Sequence, residues 1–242
     1  MNVNQLMIDA KKKGFDAIEV YATSNTNLSI ALFNGVVDKN ELSDEETLSI
    51  RGIINDKIAY LELENLTESN EYILKNLEKN ANTLTTEEKF FIYEGDKEYP
   101  TLKTPTKDFD QYTQFDKIEM LKTIEKKIKE KDKRIVYIPY CNYEESSTTT
   151  QITNSKGLNL SKEVSYCALI VQVVARENKD SQSNFKIEVK HRLDQLDVDK
   201  LSCELVDKVV AMLNAKSIPS KAYEIIIEND VMGELLSAFS SA

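Results

Sequence analysis

The side chains best suited to nucleophilic or metal chemistry in this sequence are three cysteines, Cys141, Cys167 and Cys203, and one histidine, His191. A thiolate at Cys141 or Cys167 beside His191 would form a nucleophile–base pair, but no spacing motif ties these residues together. The odd cysteine count, without a C-x-x-C, reads as free buried thiols in a reducing compartment. With one histidine, a histidine-based metal site is nearly excluded, because zinc requires several His or Cys ligands brought together. The run 146–150, SSTTT, offers hydroxyl nucleophiles but has no base near it. β-Branched hydroxyl residues in such a run suit an exposed strand face. The polar run 178–184, NKDSQSN, reads as a turn. Within it Asp180, Ser181, Gln182, Ser183 and Asn184 are the candidate substrate- or partner-facing residues, with a plain solvent-exposed loop as the alternative.

The elements that would position these residues are legible as periodicities. Val3, Leu6, Met7 and Ala10 define an amphipathic helix, capped by Asn2 and closed by Lys11, Lys12, Lys13 and Gly14. Strands follow at 17–23 and around Leu28, Ile30 and Leu32. The dipeptide Asn34-Gly35 then marks a hairpin. Leu48, Ile50, Gly52 and Ile54 form a further strand, Asn55-Asp56 turns it, and Ala59, Leu61 and Leu63 return. Thr67 is expected to cap a helix whose buried stripe is Ile73, Leu77, Ala81 and Leu84. Residues 85–114 lose periodicity but keep Phe90, Phe91, Tyr93, Tyr99, Phe109 and Tyr112, which points to an ordered connector.

In the second half, Asp116 with Glu119 reads as a capping box opening a helix with Ile118, Leu121, Ile124 and Ile128 inward. A strand at 135–143 contains Pro139, implying an edge or a bulge. The run 163–176 reads as a central strand covered on both faces. Phe185, Ile187, Val189 and His191 alternate with charged residues, which makes His191 a structural histidine at the end of a strand. Asp197 caps a helix with Val198, Leu201, Leu205, Val209 and Met212 on one stripe. Residues 223–227 read as a buried strand, and Asn229 and Asp230 start a helix bearing Met232, Leu235, Leu236 and Phe239.

The expected class is therefore α+β. Residues 1–217 form a two-part N-terminal domain of mixed or antiparallel sheets packed with helices, with sub-parts of about 1–114 and 115–217. Residues 218–242 are expected to be the truncated start of a β-rich C-terminal domain, because the sequence stops inside an amphipathic helix. The net charge of −10 opposes a nucleic-acid-binding surface. No apolar run approaches the ~18 residues of a membrane span, and the first residues lack signal-peptide order, so a cytoplasmic protein is expected.

Residues 180–197, DSQSNFKIEVKHRLDQLD, resemble the segment of the TldD/PmbA family that reads D-x-Q-S-G-[FY], a strand, an arginine, then L-x-x-L-D. Residues 15–23, FDAIEVYAT, resemble the family's opening strand. Asn34-Gly35, Arg51 in SIRGIINDKIAY, the turn Asn154-Ser155-Lys156-Gly157 and residues 216–220 match further stretches in order. Lys57, Ala59 and Asn184 depart from the family pattern by replacing glycines.

The resemblance implies soluble metallopeptidases, also called modulators of DNA gyrase, with an α/β N-terminal and a β-rich C-terminal domain. TldD-type subunits carry H-E-x-x-x-H on the helix opening the second domain, where two His and a Glu can hold zinc and activate water. Here Ser237, Ala238 and Ala242 occupy those positions. The resemblance thus implies a PmbA/TldE-like subunit with no catalytic residue and no metal or other cofactor of its own. Zinc is expected only in a TldD-like metallopeptidase partner. An unfolded peptide would be the substrate and a heterodimer the assembly, with a homodimer also open. The alternatives are a non-enzymatic protein-interaction module and a gyrase modulator.

Overall fold

A computed structural model describes residues 2–64, 67–83, 90–101 and 103–240. Helix α1 (Val3–Lys12) starts where the Asn2 side chain accepts a hydrogen bond from the Gln5 amide, and it buries Leu6 and Ala10. The two strands expected next are one, β1 (Ala17–Phe33), which turns into β2 (Val36–Ile54). The turn residues Asn34 and Gly35 both have positive φ, as a two-residue hairpin matched to strand twist requires. Asn55 and Asp56 repeat this geometry into β3 (Lys57–Leu63). Helix α2 (Asn70–Thr83) follows. The Ser69 hydroxyl, two residues after the expected Thr67, accepts from the Tyr72 amide at its start. Leu84, expected on the same stripe, lies outside the described residues.

Helix α3 (Gln114–Lys131) begins earlier than expected. Its capping box joins Thr113 to Asp116, since a hydroxyl three residues before a carboxylate satisfies both end amides. Strands β4 (Ile135–Asn154), β5 (Asn159–Glu177) and β6 (Asp180–Lys190) precede α4 (Val198–Ala211), capped by Asp197, and α5 (Asn229–Ser240).

The strands form one sheet in the order β3-β2-β1-β4-β5-β6, and every pair is antiparallel. The fold is α+β. Because β1 pairs with β4, the sheet is continuous across both halves of the chain. Pro139 sits in an interior strand and is accommodated by register breaks either side of Tyr137, so it marks a bulge.

Helices α1 to α4 lie on one face of the sheet in two groups. Helices α1 and α2 cover Ile18, Val20, Leu48, Ile50 and Ala59. Helices α3 and α4 cover Leu28, Ile30, Leu32, Tyr143, Leu169 and Val171. On the other face Ile92 of the connector packs on Ala17, Ile53 and Ile58. Further along, Phe109 returns to the α3/α4 core. Among the described residues no helix is long and apolar enough to cross a membrane.

Three local expectations are corrected. Residues 178–184 are mostly strand: only Asn178 and Lys179 turn, with Asn178 supplying positive φ, and Asp180 already pairs with Glu177. Strand β5 is buried on its helix face over residues 167–175 and only partly covered on the other, which none of α1 to α4 covers. The third concerns residues 223–227, which form no strand. Ile225 and Ile226 are 74% and 101% exposed, because no described strand pairs with the segment to cover its backbone or its side chains.

Candidate functional site

The residues singled out for nucleophilic chemistry do not assemble. Cys141 and Cys167 are fully buried. Burial pushes the Cys141 thiol up to about 12 and the Cys167 thiol up to about 11, the opposite of an activated nucleophile. His191 Nδ1 lies 2.7 Å from the Ser165 carbonyl, the satisfied structural contact expected of it. The hydroxyl run 146–150 lies in β4, flanked by β1 and β5. Its Ser147 hydroxyl accepts from Lys107, which also pairs with Asp110.

The residues of α5 do not fit a metal. Ser237 and Ala238 are exposed on the helix, and the Ser237 hydroxyl donates to the Glu234 carbonyl at 2.7 Å, one turn back. Neither offers a strong ligand, and Ala242 lies outside the described residues. Among the described residues no three His, Cys, Asp or Glu side chains come together to hold a metal ion.

What the structure does build, among the described residues, is an unpaired sheet edge. Strand β6 pairs with β5 on one side and with no described strand on the other. Its register divides the five candidate residues between the two faces. Asp180, Gln182 and Asn184 stand opposite Glu177, Ala175 and Val173, on the α4 side. Ser181 and Ser183 stand on the helix-free face and are exposed. The three on the α4 side have anchoring roles. Asp180 accepts from the Asn214 amide at 2.6 Å and from Gln182, and Asn184 donates to the Met212 sulfur at 3.5 Å. Lys186 pairs with Glu204 of α4 and holds its carboxyl below the usual range. Between β6, α4 and the start of α5 lies a cleft of about 670 Å³, lined among others by Asn184, Lys186, Leu205, Met212, Glu228 and Val231.

The same register turns the apolar alternation of β6 outward. Phe185, Ile187 and Val189 stand opposite Gln172, Ile170 and Ala168 on the helix-free face and are 58%, 51% and 55% exposed. On the α4 side their neighbours are charged, so an edge strand with Lys186 and Glu188 beneath it presents its apolar residues to solvent.

Two polar networks escaped sequence reasoning. Glu19 is buried on the helix-free face, where it accepts from Arg51 at 2.6 Å and from Asn154 at 3.1 Å. Asn154 also donates to the Tyr93 carbonyl and accepts from the Lys156 and Leu158 amides. This clamp fastens the connector to three strands. A lone acid inside the otherwise apolar start of β1 was its signal. The second network joins buried Lys117 of α3 to Glu145 of β4, which accepts from the Tyr143 hydroxyl at 2.6 Å.

Comparison with known proteins gives two family matches. The model described as PmbA/TldA metallopeptidase domain 1 matches residues 18–80, and that of the PmbA/TldA metallopeptidase central domain matches residues 107–213. Together they span well over half of the chain. Among solved structures, a modulator of a DNA gyrase from Thermotoga maritima superposes with a TM-score of 0.81 at 21% identity, covering 90% of this chain and 49% of that one. TldE from Thermococcus kodakarensis gives 0.73 at 18% identity, covering 86% and 47%. A modulator of DNA gyrase from Bacteroides thetaiotaomicron gives 0.83 at 22% identity, covering 98% and 55%. At these identities the likeness is one of fold, and the chain spans about half the length of these proteins. No curated protein matches the sequence.

Proposed function

We propose a function from one premise: the chain belongs to the PmbA/TldA metallopeptidase family. Within that family it acts as a PmbA/TldE-like subunit that holds unfolded peptide and docks a partner while a TldD-like subunit supplies the zinc. The observation that supports this reading is the chemistry of α5, where Ser237 and Ala238 offer no zinc ligand at the positions that the family resemblance assigns to the first His and the Glu of a catalytic subunit. A serine hydroxyl bonded to its own helix and a methyl group neither bind zinc nor activate water. Residues 218–242 would open a further, β-rich domain, and the complex would work in the cytoplasm.

The free edge of β6 supports the docking role. An extended peptide added there gains backbone hydrogen bonds that ignore sequence, and its alternate side chains meet either the α4 cleft or the exposed Phe185, Ile187 and Val189. The test is co-expression with a TldD-like subunit and an unfolded, labelled casein fragment as substrate. The pair should cleave it, phenanthroline should stop the cleavage, and this chain alone should be inert with or without added zinc. Cleavage by this chain alone would overturn the reading. Failure to associate with or support such a subunit would favour a non-enzymatic interaction module. Modulation of gyrase is a weaker second reading. It draws support from the names of two fold relatives, and the net charge of −10 gives it no nucleic-acid footprint.

A further inference from the structure

The sheet has a second free edge of different character. Strand β3 pairs with β2 only from Leu48 to Ile54. Residues 36–47 of β2 continue beyond it, paired with β1 on one side and with no described strand on the other. Residues 36–46 are all exposed. Such a row of unpaired backbone donors and acceptors is a template for another extended chain.

The side chains on this edge carry five carboxylates, Asp38, Glu41, Asp44, Glu45 and Glu46, against one lysine, Lys39, which pairs with Glu41 at 2.9 Å. They occur on both faces. Glu41 and Glu45 stand with Ser29 and Asn25 on the helix-free face, and Asp44 and Glu46 stand with Thr26 and Ser24 on the helix face. Leu42, 62% exposed, sits among them. An added strand therefore meets carboxylates above and below whichever way up it lies. A second copy of this edge, or an acidic peptide, would bring like charges opposite one another and be repelled. A strand carrying lysine or arginine would be drawn in on both faces. The β6 edge has no such bias, because Lys186 and Lys190 are balanced there by Asp180 and Glu188.

The geometry points to the free edge of β2 as a docking site for extended, lysine- or arginine-bearing segments of unfolded peptide. This rests on the reading of the chain as a peptide-holding subunit and adds a substrate class to it: cationic sequence, gripped by backbone pairing and selected by charge.

Fluorescence anisotropy on the full chain tests this, with labelled twelve-residue peptides of Thr and Val alternating with Lys in one and with Glu in the other. Hydrogen exchange with the Lys peptide bound locates the site. The Lys peptide should bind at least about ten-fold tighter at low salt, and amides of residues 36–47 should become protected. Combining Glu41→Gln, Asp44→Asn, Glu45→Gln and Glu46→Gln should remove the preference. Combining Glu119→Gln, Glu130→Gln, Asp199→Asn and Asp207→Asn, which removes as much charge from α3 and α4, should preserve it. Equal binding of both peptides, equal loss in the two variants, protection confined to β6, or binding without amide protection would each overturn the assignment. Peptide cleavage with the partner is read separately. Cleavage without a cationic preference defeats this inference alone, and a preference without cleavage defeats the proposed function alone.

Discussion

The two helix-covered halves of the sheet solve the same problem with different chemistry. Under α1 and α2 the buried cluster is wholly apolar, from Leu6 and Phe15 through Ile50 to Leu77, and its polar clamp, Glu19 with Arg51 and Asn154, lies on the opposite face of the sheet. Under α3 and α4 the cluster is larger, and ionisable groups lie within it: Lys117 and Glu145, the Tyr143 hydroxyl, and the thiols of Cys141 and Cys167. The first half depends on shape and the second on keeping charges paired and thiols protonated. Both halves draw on β1, which gives Ile18 and Val20 to one and Leu28, Ile30 and Leu32 to the other, so they should unfold together.

Breaking the buried pair is the harshest way to expose this difference. Lys117→Ala leaves the Glu145 carboxylate buried and without its lysine, and should cost about 3–5 kcal/mol in urea unfolding. Lys117→Met with Glu145→Leu should recover most of the loss, since an apolar pair of similar volume needs no counter-charge. If the single variant were silent, the second half would rest on packing like the first.

In the apolar half the corresponding lesion is Leu77→Ala, at a fully buried position, with an expected loss of roughly 2–5 kcal/mol by transfer and cavity terms. A second transition in its melting curve would show that β1 does not couple the halves. A smaller effect of the opposite kind is expected at Gly52. A Cβ there would meet the Phe15 ring at 2.9 Å, so Gly52→Ala should cost about 1–3 kcal/mol by overpacking, and pairing it with Phe15→Leu should relieve part of that.

This contrast also marks what the sequence could and could not show. The alternation of β1, the hairpin at Asn34-Gly35 and the stripes Leu121, Ile124, Ile128 and Leu201, Leu205, Val209 were legible because each encodes a local periodicity. Which face of an edge strand is buried was not. Phe185, Ile187 and Val189 look inward by composition, yet pairing with β5 turns them away from α4. Residues 223–227 carry the same strand signature, but burial needs a neighbouring strand, which no local pattern specifies. The partnership of Lys117 with Glu145 was equally invisible, because α3 and β4 meet only in three dimensions. Of the candidate site, Ser237 and Ala238 were marked by the family resemblance and by no local pattern, whereas the division of residues 180–184 between two faces required the register.

The mildest probe is mildly alkaline pH, where the two buried thiols of the second half are the first groups to respond. Burial first, and the nearby Glu125 second, raise the Cys141 thiol from 9.0 to about 12; burial also raises Cys167, to about 11. In the unfolded chain both thiols ionise near their ordinary values, while the folded state keeps their protons. Between about 9 and each folded value the native state therefore binds more protons than the unfolded one, and stability falls as pH rises. From pH 8 to 9.5 the loss should be roughly 1 kcal/mol per thiol. Urea midpoints across that range should decline, and Cys141→Ala should flatten the decline whatever its absolute stability. Cys203, exposed on α4, should react with a thiol reagent in the native protein while the other two react only on unfolding. A slope unchanged by Cys141→Ala would mean that the Cys141 thiol does not set the alkaline limit, and the halves would then differ in their buried charged groups, Lys117 with Glu145 foremost.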